Sequence, residues 1–215
     1  MVKIIRVHSH KVSARELEEA AEIIKRGGIV AYPTESFYGL GVDATNEGAV
    51  SRLLELKERP RGRPILVLVS SLFMLKQYVT RVSPKAMALI EAFWPGGLTL
   101  IFHVSRGIPE GLTGGTGKLG VRLSSNRIAT SLVEEVGRPV TSTSANLSGM
   151  PPLVTAVQVA EVLGDGVDLI LDGGKTPGQM ASTVLDTTSY PFTILREGLV
   201  GREALMKILG PDGLS

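Results

Sequence analysis

Apolar residues recur at helical spacing over Leu17, Ala20, Ala21 and Ile24, which predicts an amphipathic helix. Ser13-Ala14-Arg15-Glu16 reads as its capping box, and Gly27-Gly28 ends it. Ile29 to Tyr32 is apolar throughout, as a strand buried on both faces would be, and Pro33 turns the chain into a glycine-rich loop ending near Asn46. Helical spacing returns over 47–57, with Val50, Leu53, Leu54 and Leu56 facing inward, and 65–69 reads as the next buried strand. Ser83-Pro84 starts another helix, which Trp94-Pro95-Gly96-Gly97 closes before a strand over 98–104. Further strands are predicted at 120–123, 139–143, 167–171, 183–186 and 193–195, with helices in most of the gaps. This alternation predicts an α/β fold (α+β in some schemes), a mixed sheet covered by helices.

Composition narrows the picture. A chain of 215 residues, 43% hydrophobic and 20% charged, suits one globular domain over 1–215. Lys and Arg number 23 against 21 acids, and a net charge of +2 is too small for a general nucleic-acid coat. Anion binding, if encoded, is therefore local. The absence of cysteine excludes disulfides, thiolate catalysis and Cys-based zinc sites. Charge interrupts Met1-Val2-Lys3-Ile4-Ile5-Arg6 too soon for a signal peptide, and no apolar run reaches membrane-spanning length, so a cytoplasmic protein with no membrane partner is expected.

Two segments carry candidate chemistry. Lys57-Glu58-Arg59-Pro60-Arg61-Gly62-Arg63-Pro64 puts four cations into seven residues between a helix and a strand, and its prolines fix the path of the loop. It reads either as a phosphate clamp or as a solvated basic loop. Thr141-Ser142-Thr143-Ser144-Ala145-Asn146-Leu147-Ser148-Gly149 crowds hydroxyls and an amide at a strand end, where open sheets bind ligands. Alone it reads as a turn held by side-chain hydrogen bonds; beside the basic loop it reads as a ligand crevice. Other motifs fail. Gly39-Leu40-Gly41-Val42-Asp43-Ala44 lacks the tight turn of a dinucleotide fingerprint, and in Gly111 to Lys118 the P-loop spacing is off by one, with Leu119 where a hydroxyl belongs. That second stretch reads as a mobile glycine loop. His8 and His10 read as solvent-facing positions of an edge strand, His103 stands apart, and no metal site is expected.

Tyr32-Pro33-Thr34-Glu35-Ser36-Phe37-Tyr38-Gly39-Leu40-Gly41, the Lys57/Arg59/Pro60 element, Val121-Arg122, the Ser142 to Gly149 block and Ser182-Thr183-Val184-Leu185-Asp186 together resemble the YrdC-like (TsaC) threonylcarbamoyl-AMP synthase family. The resemblance implies a YrdC-type twisted mixed sheet with a large concave cavity. It implies a nucleotidyltransferase that converts L-threonine, bicarbonate and ATP, the last carried with Mg2+, to threonylcarbamoyl-AMP and pyrophosphate. Its product would feed a tRNA adenosine modification, with tRNA and tRNA-modification enzymes as partners. By the same resemblance Lys57 and Arg59 are catalytic. Lys57, Arg59, Arg63, Ser144, Asn146, Ser148 and Arg196 bind ATP, and Thr34, Arg122 and Ser182 bind threonine.

The chain departs from the family in three places. Longer members carry a further C-terminal domain, so the short single-domain form is implied. Lys118 stands where members often have a hydroxyl, and the strand over 65–69 lacks a histidine that some long members carry. The alternative is a non-catalytic RNA- or nucleotide-binding paralogue of the YciO kind. The even charge balance and 5% aromatic content favour the enzyme, because base stacking needs aromatics.

Overall fold

The computed structural model describes residues 2–8, 12, 14–60, 62–105 and 107–215. Ser13, His10 and Arg61 lie outside them. Along the chain come β1 (Lys3–Arg6), α1 (Ala14–Lys25), β2 (Val30–Pro33), β3 (Tyr38–Gly41), α2 (Glu47–Leu56), β4 (Val67–Leu68), α3 (Leu72–Tyr78), α4 (Pro84–Phe93), β5 (Leu98–His103) and α5 (Glu110–Thr113). Then follow β6 (Lys118–Arg122), α6 (Arg127–Val136), β7 (Val140–Thr141), β8 (Thr143–Ser144), α7 (Ala156–Leu163), β9 (Leu169–Asp172), β10 (Thr183–Asp186), β11 (Thr193–Arg196) and α8 (Arg202–Leu209). Side-chain caps set where many of the helices begin. Asn46, Ser71, Ser83, Asn126 and Thr155 each accept an orphan N–H of the first turn, with Pro84 inside the first turn of α4.

The α/β class stands, with the strands divided between two mixed sheets ordered β1-β9-β2-β3-β8 and β11-β10-β5-β6-β4-β7. In the first, β1 and β2 flank β9 in parallel, while β3 is antiparallel to β2 and β8. In the second, β10–β5 and β4–β6 are parallel and the other pairs antiparallel. Val30, Leu40, Val67, Leu100 and Leu132 belong to one buried apolar cluster that draws on both sheets and their helices.

Four local expectations are corrected. The loop read over 33–46 contains β3, whose residues Gly39 and Gly41 hid a strand because glycine is depleted in strands. Here Gly41 is required: a Cβ would lie 2.6 Å from both Tyr32 Cε1 and Val140 Cγ1. The strand read over 65–69 shrinks to β4. The glycine loop read over 111–118 opens inside the short helix α5, closed by Gly114 in the left-handed region at φ 61°; 114–117 stay outside helix and strand, and Lys118 already belongs to β6. His8 lies beyond β1 rather than on it.

The correction with most consequence falls on 139–143. That segment is two short strands in different sheets: β7 pairs with β4, and β8 pairs with β3. The chain steps from one sheet to the other at Ser142, whose N–H donates to Leu66 O at 2.9 Å.

Candidate functional site

A cavity of about 360 Å³ has walls from both sheets. Thr34, Ser36, Tyr38 and Gly39 line it from the β2–β3 hairpin, and Thr99, Ile101, Gly120, Arg122, Ser182, Val184 and Arg196 from the second sheet. Ser142, Thr143 and Ser144 line it at the crossing, which is why the polar cluster legible in the sequence sits there. Its size falls in the usual range for small-molecule sites, about 300–1,000 Å³.

The basic element is shaped by how α2 ends. Glu58 N–H donates to Glu55 O at 2.9 Å and Arg59 N–H to Leu54 O at 3.0 Å, the paired bonds of a Schellman turn. Such a turn puts its C′ residue in the left-handed region, normally glycine, and here Glu58 takes that position at φ 48°. The reversal sends successive side chains different ways. Lys57 turns inward and is 1% exposed; its Nζ donates to Ser144 O (2.5 Å), Asn146 O (2.7 Å) and Asn146 Oδ1 (3.1 Å). Arg59 reaches the cavity wall, held by Nε to Arg63 O at 3.1 Å and Nη2 to Pro64 O at 2.8 Å. Burial, and then the Arg59 charge, pull Lys57 down to about 8. Burial and Arg63 likewise hold Arg59 below the usual arginine value.

The far wall carries two more guanidiniums. Arg122, on β6, is 3% exposed and its Nη1 pairs with Glu35 Oε1, while the Ser124 hydroxyl donates to Glu35 Oε2. Arg122 Nε and Glu35 Oε1 are both buried without a hydrogen-bond partner, a state that costs about 1–3 kcal/mol for each such group. Arg196, on β11, donates from Nε and Nη2 to Ser182 O at 3.1 and 2.9 Å, and from Nη2 to Ser182 Oγ at 3.2 Å. Ser182 Oγ and Thr99 Oγ1 lie 2.9 Å apart. Burial, and then repulsion from Arg122, hold Arg196 below its usual value. A carboxylate or phosphate between these groups would relieve that repulsion.

Of the ten candidate residues, Thr34, Arg59, Arg122, Ser144, Ser182 and Arg196 line the cavity. Thr34 also shapes its turn, Oγ1 donating to Phe37 O at 2.7 Å. Lys57 and Asn146 are buried beneath the Ser144 turn, where Asn146 Oδ1 also accepts from the Ser144 hydroxyl at 2.6 Å. Ser148 is exposed one turn on, with its N–H donating to Lys57 O at 3.2 Å. Arg63 lines a separate groove with Glu58 and Glu110. Lys118 pairs with Asp186 Oδ2 at 2.8 Å. Thr99 and Ser36 are cavity residues to which sequence reasoning gave no role. The signal for Thr99 was a lone hydroxyl in an apolar strand. Among the described residues no three His, Asp or Glu gather as a metal cage.

A family model named Sua5_yciO_yrdC and described as telomere recombination matches residues 22–198. The threonylcarbamoyl-AMP synthase of Pyrococcus abyssi is 37% identical over 210 residues, covering 98% of this chain and 62% of its own length. A putative threonylcarbamoyl-AMP synthase of Mycobacterium tuberculosis is 38% identical over 202 residues, 94% of this chain and 93% of that protein. The crystal structure of P. abyssi Sua5 complexed with L-threonine superposes with a TM-score of 0.94 at 36% identity, covering 99% of this chain and 62% of that one. This chain thus spans less than two thirds of the archaeal protein's length.

Proposed function

The chain belongs to the Sua5, YciO and YrdC family, and on that premise we propose that it is an L-threonylcarbamoyladenylate synthase, a nucleotidyltransferase that makes threonylcarbamoyl-AMP and pyrophosphate from L-threonine, bicarbonate and ATP. The observation that carries this reading is the convergence of Arg59, Arg122 and Arg196 with the Ser and Thr hydroxyls on one cavity between the sheets. Its relatives' names point the same way. The product feeds threonylcarbamoyl modification of a tRNA adenosine in the cytoplasm, with tRNA and tRNA-modification enzymes downstream. The reading takes residues 1–215 as a single YrdC-like domain.

The chemistry asks for no side-chain nucleophile. Threonine's amine attacks bicarbonate carbon to give a carbamate with loss of water, the carbamate oxygen attacks the α-phosphorus of ATP, and pyrophosphate leaves as the α–β bridging P–O bond breaks. What the protein supplies is alignment and positive charge where negative charge gathers. We assign the threonine carboxylate to Arg122, and the rest of the amino acid to Thr34 and Ser182. Arg59 acts on the phosphates directly from the wall, and Lys57 from beneath the Ser144 turn. Arg63, Ser144, Asn146, Ser148 and Arg196 complete the ATP site. Mg2+ enters as part of the Mg·ATP substrate.

Pyrophosphate release, measured with each substrate omitted in turn, tests the proposal. Release is expected only when ATP, Mg2+, bicarbonate and L-threonine are all present. Release that persists without threonine would overturn it, and binding of nucleotide or RNA without any release would favour the non-catalytic alternative.

A further inference from the structure

Arginine can engage a carboxylate through either of two forks, Nη1 with Nη2 at its end or Nε with Nη2 along its side. Glu35 Oε1 is the ion-pair partner of Arg122 Nη1. Nε has no hydrogen-bond partner, and Arg122 is part of the cavity wall. Glu35 is itself fixed, because the Ser124 hydroxyl donates to its other oxygen and Asn126 N–H in turn donates to Ser124 Oγ at 3.1 Å. The pair also spans the two sheets. Glu35 sits in the β2–β3 turn between Thr34 and Ser36, whereas Arg122 ends β6. The ion pair therefore sets the distance between the hairpin wall and the arginine wall of one cavity.

We infer that Glu35 is a positioning residue for the substrate carboxylate: it holds Arg122 by Nη1 so that the rest of the guanidinium is left for the amino acid. The inference rests on the assignment of threonine's carboxylate to Arg122. It follows from charge as well as from shape. Arg122 and Arg196 repel one another, and one buried acid behind Arg122 keeps that guanidinium in place between ligand-binding events. A freely rotating arginine in the same place would have to be ordered by each incoming substrate.

The test compares L-threonine with L-threoninol, the same molecule with its carboxylate replaced by an alcohol, by calorimetry on the intact chain. Glu35→Gln is expected to weaken threonine about tenfold while leaving threoninol and ATP within about twofold, so discrimination between the two ligands narrows about tenfold. Glu35→Asp, which keeps the charge on a shorter arm, should recover about a third of the loss on a logarithmic scale. Tighter threonine binding by Glu35→Gln would mean that Glu35 competes with the substrate for Arg122, and would overturn the inference. So would equal weakening of threonine and threoninol, the mark of a general structural defect. Arg122→Lys separates the two levels. If that variant discriminates as wild type does, the assignment of Arg122 fails; if it loses discrimination and Glu35→Gln does not, only the role of Glu35 fails. Should Glu35→Gln not fold, Ser124→Ala decides the matter: discrimination narrowed about threefold supports the role, and unchanged discrimination refutes it.

Discussion

Raising the pH should make this protein more stable and less active at the same time, because of Lys57. Burial and the Arg59 charge bring the folded-state pKa from 10.5 to about 8, so the folded protein gives up this proton before the unfolded chain does. Below about pH 8 both states hold the proton and the full cost of burying the ammonium is present. Between about pH 8 and 10.5 the unfolded chain binds more protons, and stability rises with pH. The gap between 10.5 and about 8 corresponds to about 3 kcal/mol. Lys57→Met supplies the reference, since it removes this titration and leaves the others, including those of Tyr32 and Tyr38, whose hydroxyls burial holds protonated beyond their usual range.

The variant should fold. Ser144 O keeps the Asn146 N–H at 2.9 Å and Asn146 Oδ1 keeps the Ser144 hydroxyl at 2.6 Å, so among the described groups only Asn146 O loses its donor. That orphan costs about 1–3 kcal/mol and is offset by the charge no longer buried. Urea unfolding of both proteins from pH 7 to 10 should show wild type gaining about 1–3 kcal/mol on the variant. Over the same range, kcat/KM for pyrophosphate release should fall with an apparent pKa of about 8, since the phosphate needs the ammonium. A constant stability difference from pH 7 to 10 would refute the argument, showing that the three oxygens around Nζ fully offset its burial.

Arg59→Ala should lower turnover about 100-fold or more in folded protein, whereas Arg63→Ala, on the neighbouring groove, should cost a few-fold in ATP affinity that added salt erases; steady-state kinetics at two ionic strengths separates them. Glu58→Gly should raise stability by up to about 1 kcal/mol, because glycine takes the left-handed position without strain, and thermal unfolding reads it as a rise of a few degrees in Tm. Gly41→Ala should destabilise by about 1–3 kcal/mol, since its Cβ would meet Tyr32 and Val140 at 2.6 Å; urea unfolding reads this directly.

Periodicity located α1, α2 and α4, the expected cap of α1, Ser13, lying outside the described residues; α3, α6 and α7, capped by Ser71, Asn126 and Thr155, were foreseen only as helices filling gaps. It also found strands that are mostly apolar, such as β2 and β5. It missed β3 because Gly39 and Gly41 are poor strand formers whose value lies in letting Tyr32, Val140 and Ser142 come close, a property of the assembled fold. It could not divide 139–143 between two sheets, since a strand that changes partners keeps its side-chain alternation. At the site, Lys57, Arg59 and the Ser144 to Ser148 block were legible as a basic loop and a polar turn. Arg122 and Ser182 came from resemblance, with no local pattern to mark them. Thr99 and Glu35 stayed silent because their roles depend on partners 83 and 87 positions away, Ser182 and Arg122.

The step at Ser142 makes the cavity a seam. A ligand that touches both walls is a strap across that seam, so its binding energy appears as resistance to the sheets parting as well as occupancy. At 100 times its Kd such a ligand adds about 2.7 kcal/mol to unfolding. Amide exchange in β7 and β8, two residues each on opposite sides of the step, should slow together when the strap is in place, and the slowing in one should track that in the other as ligand is titrated.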